Sequence, residues 1–239
     1  MKKLYREAFT LKESQCKVIA DKPEGIQAAK NSLRLHRQKL KAYVNTNPTF
    51  LHTLKPVAVP PEPLVATLMA EAAEKAKVGP MAAVAGVLAD LAVKDMLSAG
   101  CEVAVTENGG EVSAVSNEPI DVAVAAGNEP LSKRFGFRLI EFPIGVATSS
   151  GRFSHAFSFG DAEAATVFCR DGGLADAAAT AVCNVVKGEN CRAAIQGGIT
   201  KALSIQGVEG VLIIYRGFTG TAGKIPKIIK VDLENKVSF

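Results

Sequence analysis

Glu102-Val103-Ala104-Val105-Thr106-Glu107-Asn108-Gly109-Gly110-Glu111-Val112-Ser113-Ala114-Val115 reads as two short strands joined by a glycine turn. Valine and threonine suit a pleated surface, and Asn-Gly-Gly supplies residues that tolerate positive φ, which a tight hairpin requires. Upstream the apolar period is helical. A turn at residues 21–25 opens a helical pattern that runs to Val44 and stops at Asn47-Pro48. After the proline-studded connector 56–63, Leu64, Val65, Leu68 and Ala72 share one face of a helix over 64–77. Gly79-Pro80 separates it from another, over 81–97, that ends at Gly100. Residues 5–20 hold two short mixed apolar segments. Downstream, 122–126, 137–140, 165–168, 211–215 and 228–231 are strand candidates, while 175–186 and 191–204 are helical. Helices and strands mix without regular βαβ alternation, so the fold class is α+β.

The chain has 239 residues, 48% apolar and 22% charged, enough to bury a sizeable core and too apolar for disorder. The expectation is one domain over 1–239 or two fused pseudo-repeats; no internal repeat stands out. No apolar run reaches the roughly 18 residues of a membrane span, and no apolar leader follows Met1-Lys2-Lys3, so the expected location is the cytoplasm, with no membrane partner. Five cysteines without a C-x-x-C pair signal neither a disulfide framework nor structural zinc. Between Gly25 and Pro61 there are six basic residues (Lys30, Arg34, Arg37, Lys39, Lys41, Lys55) and no acidic one. That stripe is a solvated helix face or a steering field for a phosphate ester. With 6% aromatics and no zinc-finger or RNP-type motif, nucleic acid is not an expected partner.

Some familiar signatures lack their geometry. Gly220-Thr221-Ala222-Gly223-Lys224 ends like a P-loop, but Ile225 stands where a hydroxyl should hold the metal, and it reads as a glycine-rich turn. Ser149 followed by His155 six residues later does not fit a nucleophile elbow. Three segments offer oxygen and N–H chemistry. Thr148-Ser149-Ser150-Gly151 groups three hydroxyls at a strand end, suited to phosphate oxygens or to its own backbone. Glu107-Asn108-Gly109-Gly110-Glu111 puts a carboxylate and an amide beside glycines that a ligand can approach, or is a plain hairpin turn. Asp176 and Thr180 lie one helical turn apart, able to share Mg²⁺ with a phosphate, or to cap and pack.

Taken in order, Tyr5-Arg6, Pro48-Thr49-Phe50, Val78-Gly79-Pro80-Met81-Ala82-Ala83-Val84-Ala85-Gly86, Glu107-Asn108-Gly109-Gly110, Thr148-Ser149-Ser150-Gly151, Ser158-Phe159-Gly160 and Ala175-Asp176-Ala177-Ala178-Ala179-Thr180 resemble a cytoplasmic family similar to the ApbE flavin transferases. The resemblance spans nearly the whole chain, and that to ApbE itself is more distant. It implies an ApbE-like, T-fold-related domain of mixed or antiparallel sheets with packed helices. It also implies FAD or a related nucleotide held through Mg²⁺ at its pyrophosphate, and transfer of FMN to a protein threonine or serine. Carried across, Asp176 and Thr180 are the metal ligands; Gly86, Asp90, Glu107, Asn108, Gly109, Gly110, Thr148, Ser149, Ser150 and Gly151 contact the nucleotide. His155 is the candidate acid/base. An acceptor protein and a homo-oligomer are the expected partners. Two positions depart from ApbE: Ala85 replaces a lysine, and Ala156-Phe157-Ser158-Phe159-Gly160 after His155 lacks the proline, arginine and threonine of the histidine motif. The closer family also looks associated with homocysteine formation in anaerobes. A second reading is therefore an accessory or catalytic role in sulfur assimilation, using Cys101 or Cys169, and a third is a non-catalytic interaction module.

Overall fold

A computed structural model describes residues 3–123, 135–151 and 160–230. Eight strands form one sheet in the order β1 (Tyr5–Leu11), β2 (Ser14–Ala20), β3 (Ala104–Asn108), β4 (Glu111–Val115), β7 (Ile144–Ser149), β8 (Ala164–Cys169), β9 (Val208–Tyr215), β10 (Phe218–Gly223). Each neighbour in it is antiparallel. The two strands missing from that series, β5 (Ile120–Ala123) and β6 (Phe135–Leu139), pair with β11 (Lys227–Lys230) in a second antiparallel sheet. The α+β reading therefore holds, with antiparallel sheets and packed helices.

Strand alternation gives the large sheet two apolar faces. One, carrying Val18, Ala104, Ala147, Val167 and Ile213, is covered by helices. These are α1 (Pro23–Thr46), α3 (Leu64–Ala76), α4 (Val84–Ser98), α5 (Gly172–Val185) and α6 (Cys191–Leu203), with a five-residue α2 (Pro48–His52) after α1. The other face, carrying Val105, Val112, Val146 and Phe168, packs on Phe137 and Leu139 of the small sheet. There Phe137 and Phe168 meet edge to face at 4.8 Å. Among the described residues no single helix is long and apolar enough to cross a membrane.

One expectation needs correction. Residues 220–223, which by sequence resemble a glycine-rich turn, belong to edge strand β10, paired from Phe218↔Tyr215 to Gly223↔Gly210. The turn proper is Arg216-Gly217, both at positive φ (50° and 78°), the geometry of a two-residue hairpin. The basic stripe on α1 is partly consumed at home: Lys30 pairs with Glu7 at 2.6 Å and Arg37 with Glu13 at 2.6 Å, pinning the helix to the β1–β2 hairpin.

Candidate functional site

Helix α4 begins without a capping side chain of its own, because Ala83 occupies its N-cap position. The first four N–H groups of a helix have no intrahelical partner, and a carboxylate placed there is doubly favoured by hydrogen bonding and by the helix dipole. Asp176 of α5 supplies it. Its Oδ2 accepts from Ala85 N at 3.1 Å and Gly86 N at 3.0 Å. The exchange is mutual: Asp90 of α4 reaches the start of α5, Oδ1 accepting from Gly172 N and Oδ2 from Gly173 N, both at 2.8 Å. Asp171 completes the cap of α5 by accepting from Leu174 N at 2.8 Å. So Asp176 does cap a helix, but a neighbouring one.

This clasp requires the two backbones to touch. A Cβ built on Gly86 would stand 2.1 Å from Gly172 O. The hairpin turn closes the same end of the sheet. Asn108 is buried, and its Nδ2 donates to Ala85 O at 3.1 Å while Cys16 Sγ donates to its Oδ1 at 3.5 Å. Gly109 and Gly110 take φ of 73° and 116°, conformations that a side chain would strain, and nothing lies within 4 Å of a Cβ on Gly110. Glu111 sits opposite Asn108 in the ladder, on the helix-facing side.

The sequence-predicted residues are sorted by this geometry. Glu107 and Asn108 are adjacent in β3 and so face opposite ways; Glu107 leaves the helix side and pairs with Lys17 across the strands at 3.1 Å. Glu111, the last residue of that segment and not among the nucleotide contacts the resemblance implies, takes its place beside Asp176. Thr148 and Ser149 are parted by the same rule. Thr148 turns toward the small-sheet face, its Oγ1 2.9 Å from that of Thr166, while Ser149 follows Ala147 onto the helix side. Ser149 Oγ is buried there and has no hydrogen-bond partner among the described residues. Ser150 and Gly151 both bond Ala162 O, through Oγ at 3.5 Å and N at 3.0 Å. The register that pairs Val112 with Val146 puts Glu111 level with Ala147, and the Gly109-Gly110 turn level with Thr148 and Ser149. Thr180, one turn beyond Asp176 on α5, is buried. His155 lies outside the described residues.

Charge is concentrated here without a matching cation among the described residues. Burial pushes the Glu111 carboxyl well above the usual range, and the nearby charges of Asp176 and Glu107 push it further. Burial likewise raises Asp176, against the pull of the Gly86 and Ala85 N–H groups, with Asp90 adding repulsion. Asp90 itself is pushed up to about 6 by burial, although the Ser113 hydroxyl and the Gly172 and Gly173 N–H groups pull it down. Neither Asp176 nor Glu111 has an ion-pair partner among the described residues. No three His, Cys, Asp or Glu side chains among those residues come together as a metal cage, so a cation here would rely on other oxygens too.

A pH dependence follows. Asp90 is raised from 3.8 to about 6, so the folded chain holds a proton that the unfolded chain releases. The stability it contributes is present below the unfolded value and is lost as pH rises through about 6. The loss is on the order of 2 kcal/mol. Urea unfolding of wild type between pH 4 and pH 7 should show this decline on top of that from Asp176 and Glu111, and Asp90→Asn should make it shallower; an equal decline in both would remove Asp90 as a source.

The cysteines named by the sulfur reading are poorly placed for thiolate chemistry. Cys101 and Cys169 are buried, and burial raises both thiols, with Asp21 and Asp171 respectively adding to the effect.

A family model described as AbpE bacteria matches residues 3–206. The chain belongs to that family. Relatives of similar length include a UPF0280 protein of Methanococcus vannielii, 36% identical over 234 residues and covering 96% of this chain and 94% of its own. Another, from Methanopyrus kandleri, is 38% identical over 232 residues, covering 95% and 94%. Among solved structures, the chain is similar to the ApbE protein of Thermotoga maritima, with a TM-score of 0.62 at 13% identity over 98% of this chain and 99% of that one. The apo flavinyl transferase ApbE of Pseudomonas stutzeri gives 0.61 at 14% identity, covering 93% and 94%. At such identities the likeness establishes the fold, and the motif resemblance to an ApbE-like family stands with it.

Proposed function

We propose that the chain binds FAD, or a related nucleotide, at the end of the sheet where α4 begins, and acts as a flavin-transferase-like enzyme. The observation that carries this is Asp176: a carboxylate fixed by two backbone N–H groups, one turn from Thr180 and beside Glu111, with no cation among the described residues to offset the pair. Hard oxygen donors of this kind fit Mg²⁺, which takes only one or two protein ligands when phosphate oxygens and waters complete its shell. The buried, unpartnered Ser149 Oγ fits a phosphate oxygen acceptor, since a hydroxyl left unbonded there is costly.

Asp176 and Thr180 would hold the ion, and bound Mg²⁺ would neutralise pyrophosphate charge. The chain's own part is positional: Ser149 donates to phosphate, the Gly109-Gly110 turn leaves room for the ligand, and Asp90 with Asp176 keeps α4 and α5 in register. In the transfer itself, the acceptor hydroxyl oxygen bonds the phosphorus of the FMN moiety, the bond to the AMP oxygen breaks, and AMP leaves. The hydroxyl proton passes to a base, for which His155 is the candidate. The structural neighbours from Pseudomonas stutzeri and Vibrio cholerae are a flavinyl transferase and a flavin transferase, and their shared fold supports this reading.

Calorimetry of FAD with and without Mg²⁺, followed by chromatographic detection of AMP with a threonine-bearing acceptor protein, tests it. Mg²⁺-dependent binding with AMP release is expected. Binding without AMP release under any acceptor would leave a nucleotide-binding module, in line with the lysine replaced by Ala85, and no binding at all would overturn the proposal.

Linkage makes a further prediction. Asp176 and Glu111 both hold protons more tightly in the folded chain, so cation binding must displace them as the pH falls. The rise in melting temperature on adding Mg²⁺ should therefore be larger at pH 8 than at pH 5. A rise independent of pH would place the ion elsewhere.

A further inference from the structure

The two sheets leave four edge strands among the described residues: β1 and β10 in the large one, β5 and β11 in the small one. An edge strand presents a row of N–H and C=O groups to which another strand can add, and proteins commonly blunt it with charge or proline. Three of the four edges carry charge: Arg6 and Glu7 in β1, Asp121 in β5, Lys227 and Lys230 in β11. Strand β10, Phe218-Thr219-Gly220-Thr221-Ala222-Gly223, has neither a charge nor a proline. Its Phe218 closes a two-residue hairpin with Tyr215, and alternation from that bonded pair turns the N–H and C=O groups of Thr219, Thr221 and Gly223 away from β9. Among the described residues no strand beyond β10 takes them.

The helix-side flank of this edge is apolar. A Cβ on Gly220 would stand 2.2 Å from Ile195 Cγ2 and 3.4 Å from Ile199 Cδ1, so α6 lies over the strand, and Leu203 continues the same helical face one turn beyond Ile199. The chain runs from Leu203 into β9 at Val208, and Val211 pairs with Ala222, so Leu203 stands toward the Ala222 end of β10. Phe218 shares the helix side at the other end, by strand alternation from Gly220. Both are large apolar side chains open to solvent, Phe218 52% and Leu203 54% exposed.

The strand is also complementary to itself. About a two-fold axis at Gly220, an antiparallel copy brings Thr219 opposite Thr221 of the partner subunit, where their outward N–H and C=O groups can bond. Glycine meets glycine on the axis, and the large Phe218 stands opposite the small Ala222 of the partner subunit, on the side where the partner's Leu203 is exposed. At the ends Lys224 comes level with Arg216 of the partner subunit, but Lys224 is already paired with Glu141, and Arg216 lies over the Tyr215 ring at 5.3 Å. The same operation on β11 or β5 would crowd lysines or aspartates together. We propose that β10 is the interface of a homodimer, pairing with β10 of a second copy so that the two large sheets run on as one. The inference does not depend on the nucleotide site.

The test is sedimentation equilibrium of the full chain across the micromolar range. A reversible monomer–dimer equilibrium with a micromolar dissociation constant is expected, because one strand pair with its flanks is a small interface. Thr221→Lys puts a charge on the pairing edge and should weaken association at least about tenfold. Thr221 is exposed, so circular dichroism and melting temperature should stay as in wild type. Leu203→Glu, an exposed position on a different element, should weaken association too, while Gln38→Lys, exposed on α1, should leave it unchanged. A chain monomeric over the whole range would overturn the proposal, as would a dimer that Thr221→Lys and Leu203→Glu both leave intact.

Discussion

Asp176→Asn is expected to fold and to lose the Mg²⁺-dependent part of FAD binding. The amide keeps one oxygen to accept from Ala85 or Gly86, so the α4 cap is weakened and not abolished; loss of a cap costs roughly 1 kcal/mol. What the amide cannot supply is the negative charge that a divalent ion requires. Affinity for FAD in Mg²⁺ should fall about 100-fold, equivalent to about 2.8 kcal/mol at 1.4 kcal/mol per factor of ten. Affinity without the metal should change little. Calorimetry on both proteins, with circular dichroism to verify the fold, distinguishes the outcomes. Equal Mg²⁺ dependence in the two would leave Asp176 with only a capping role.

A second substitution separates close approach from helix propensity. Gly86→Ala places a methyl group 2.1 Å from Gly172 O and 2.9 Å from Gly173 N, both backbone atoms that no side-chain rotation can move. Helices α4 and α5 must part, which stretches the Asp176 and Asp90 hydrogen bonds at the same time. A cost of about 3 kcal/mol or more is expected, lowering the melting temperature by roughly 10 °C in a chain of this size. Gly197→Ala is the control. Gly197 is an exposed residue of α6 with nothing within 4 Å of its would-be Cβ, so alanine there should stabilise by roughly 0.5–1 kcal/mol through helix propensity. If the two variants shifted stability in the same direction, the backbone contact would not be the constraint.

The two clasping carboxylates are both legible in the sequence as candidates, but not their roles. Asp176 and Thr180 at four-residue spacing predict a shared helical face, which needs only the helical period. That Asp176 caps α4 is different, since 91 positions in the chain separate it from Ala85 and no local pattern encodes that meeting. The motif resemblance makes Asp90 a nucleotide contact, whereas the structure engages both its oxygens with the start of α5. Period-two alternation along the strands carries more than the motifs do. It parts Glu107 from Asn108 and Thr148 from Ser149, and it points to Glu111 as the second carboxylate. Strand β10 is hidden because its glycines and threonines look like a turn when neither partner strand nor covering helix is in view.

The sequence by itself determined the α+β class, the helix positions, the glycine hairpin and the motif order that marks the family. Each of these depends on residues within a few positions of one another, where periodicity and backbone preference act directly. Tertiary structure alone decided which oxygens converge: the crossing of α4 and α5 at Gly86, the exchange of caps between Asp90 and Asp176, and the placing of Glu111 beside Asp176. Those outcomes depend on distance and desolvation, which exist only once strands far apart in the chain have paired and the helices have closed over them.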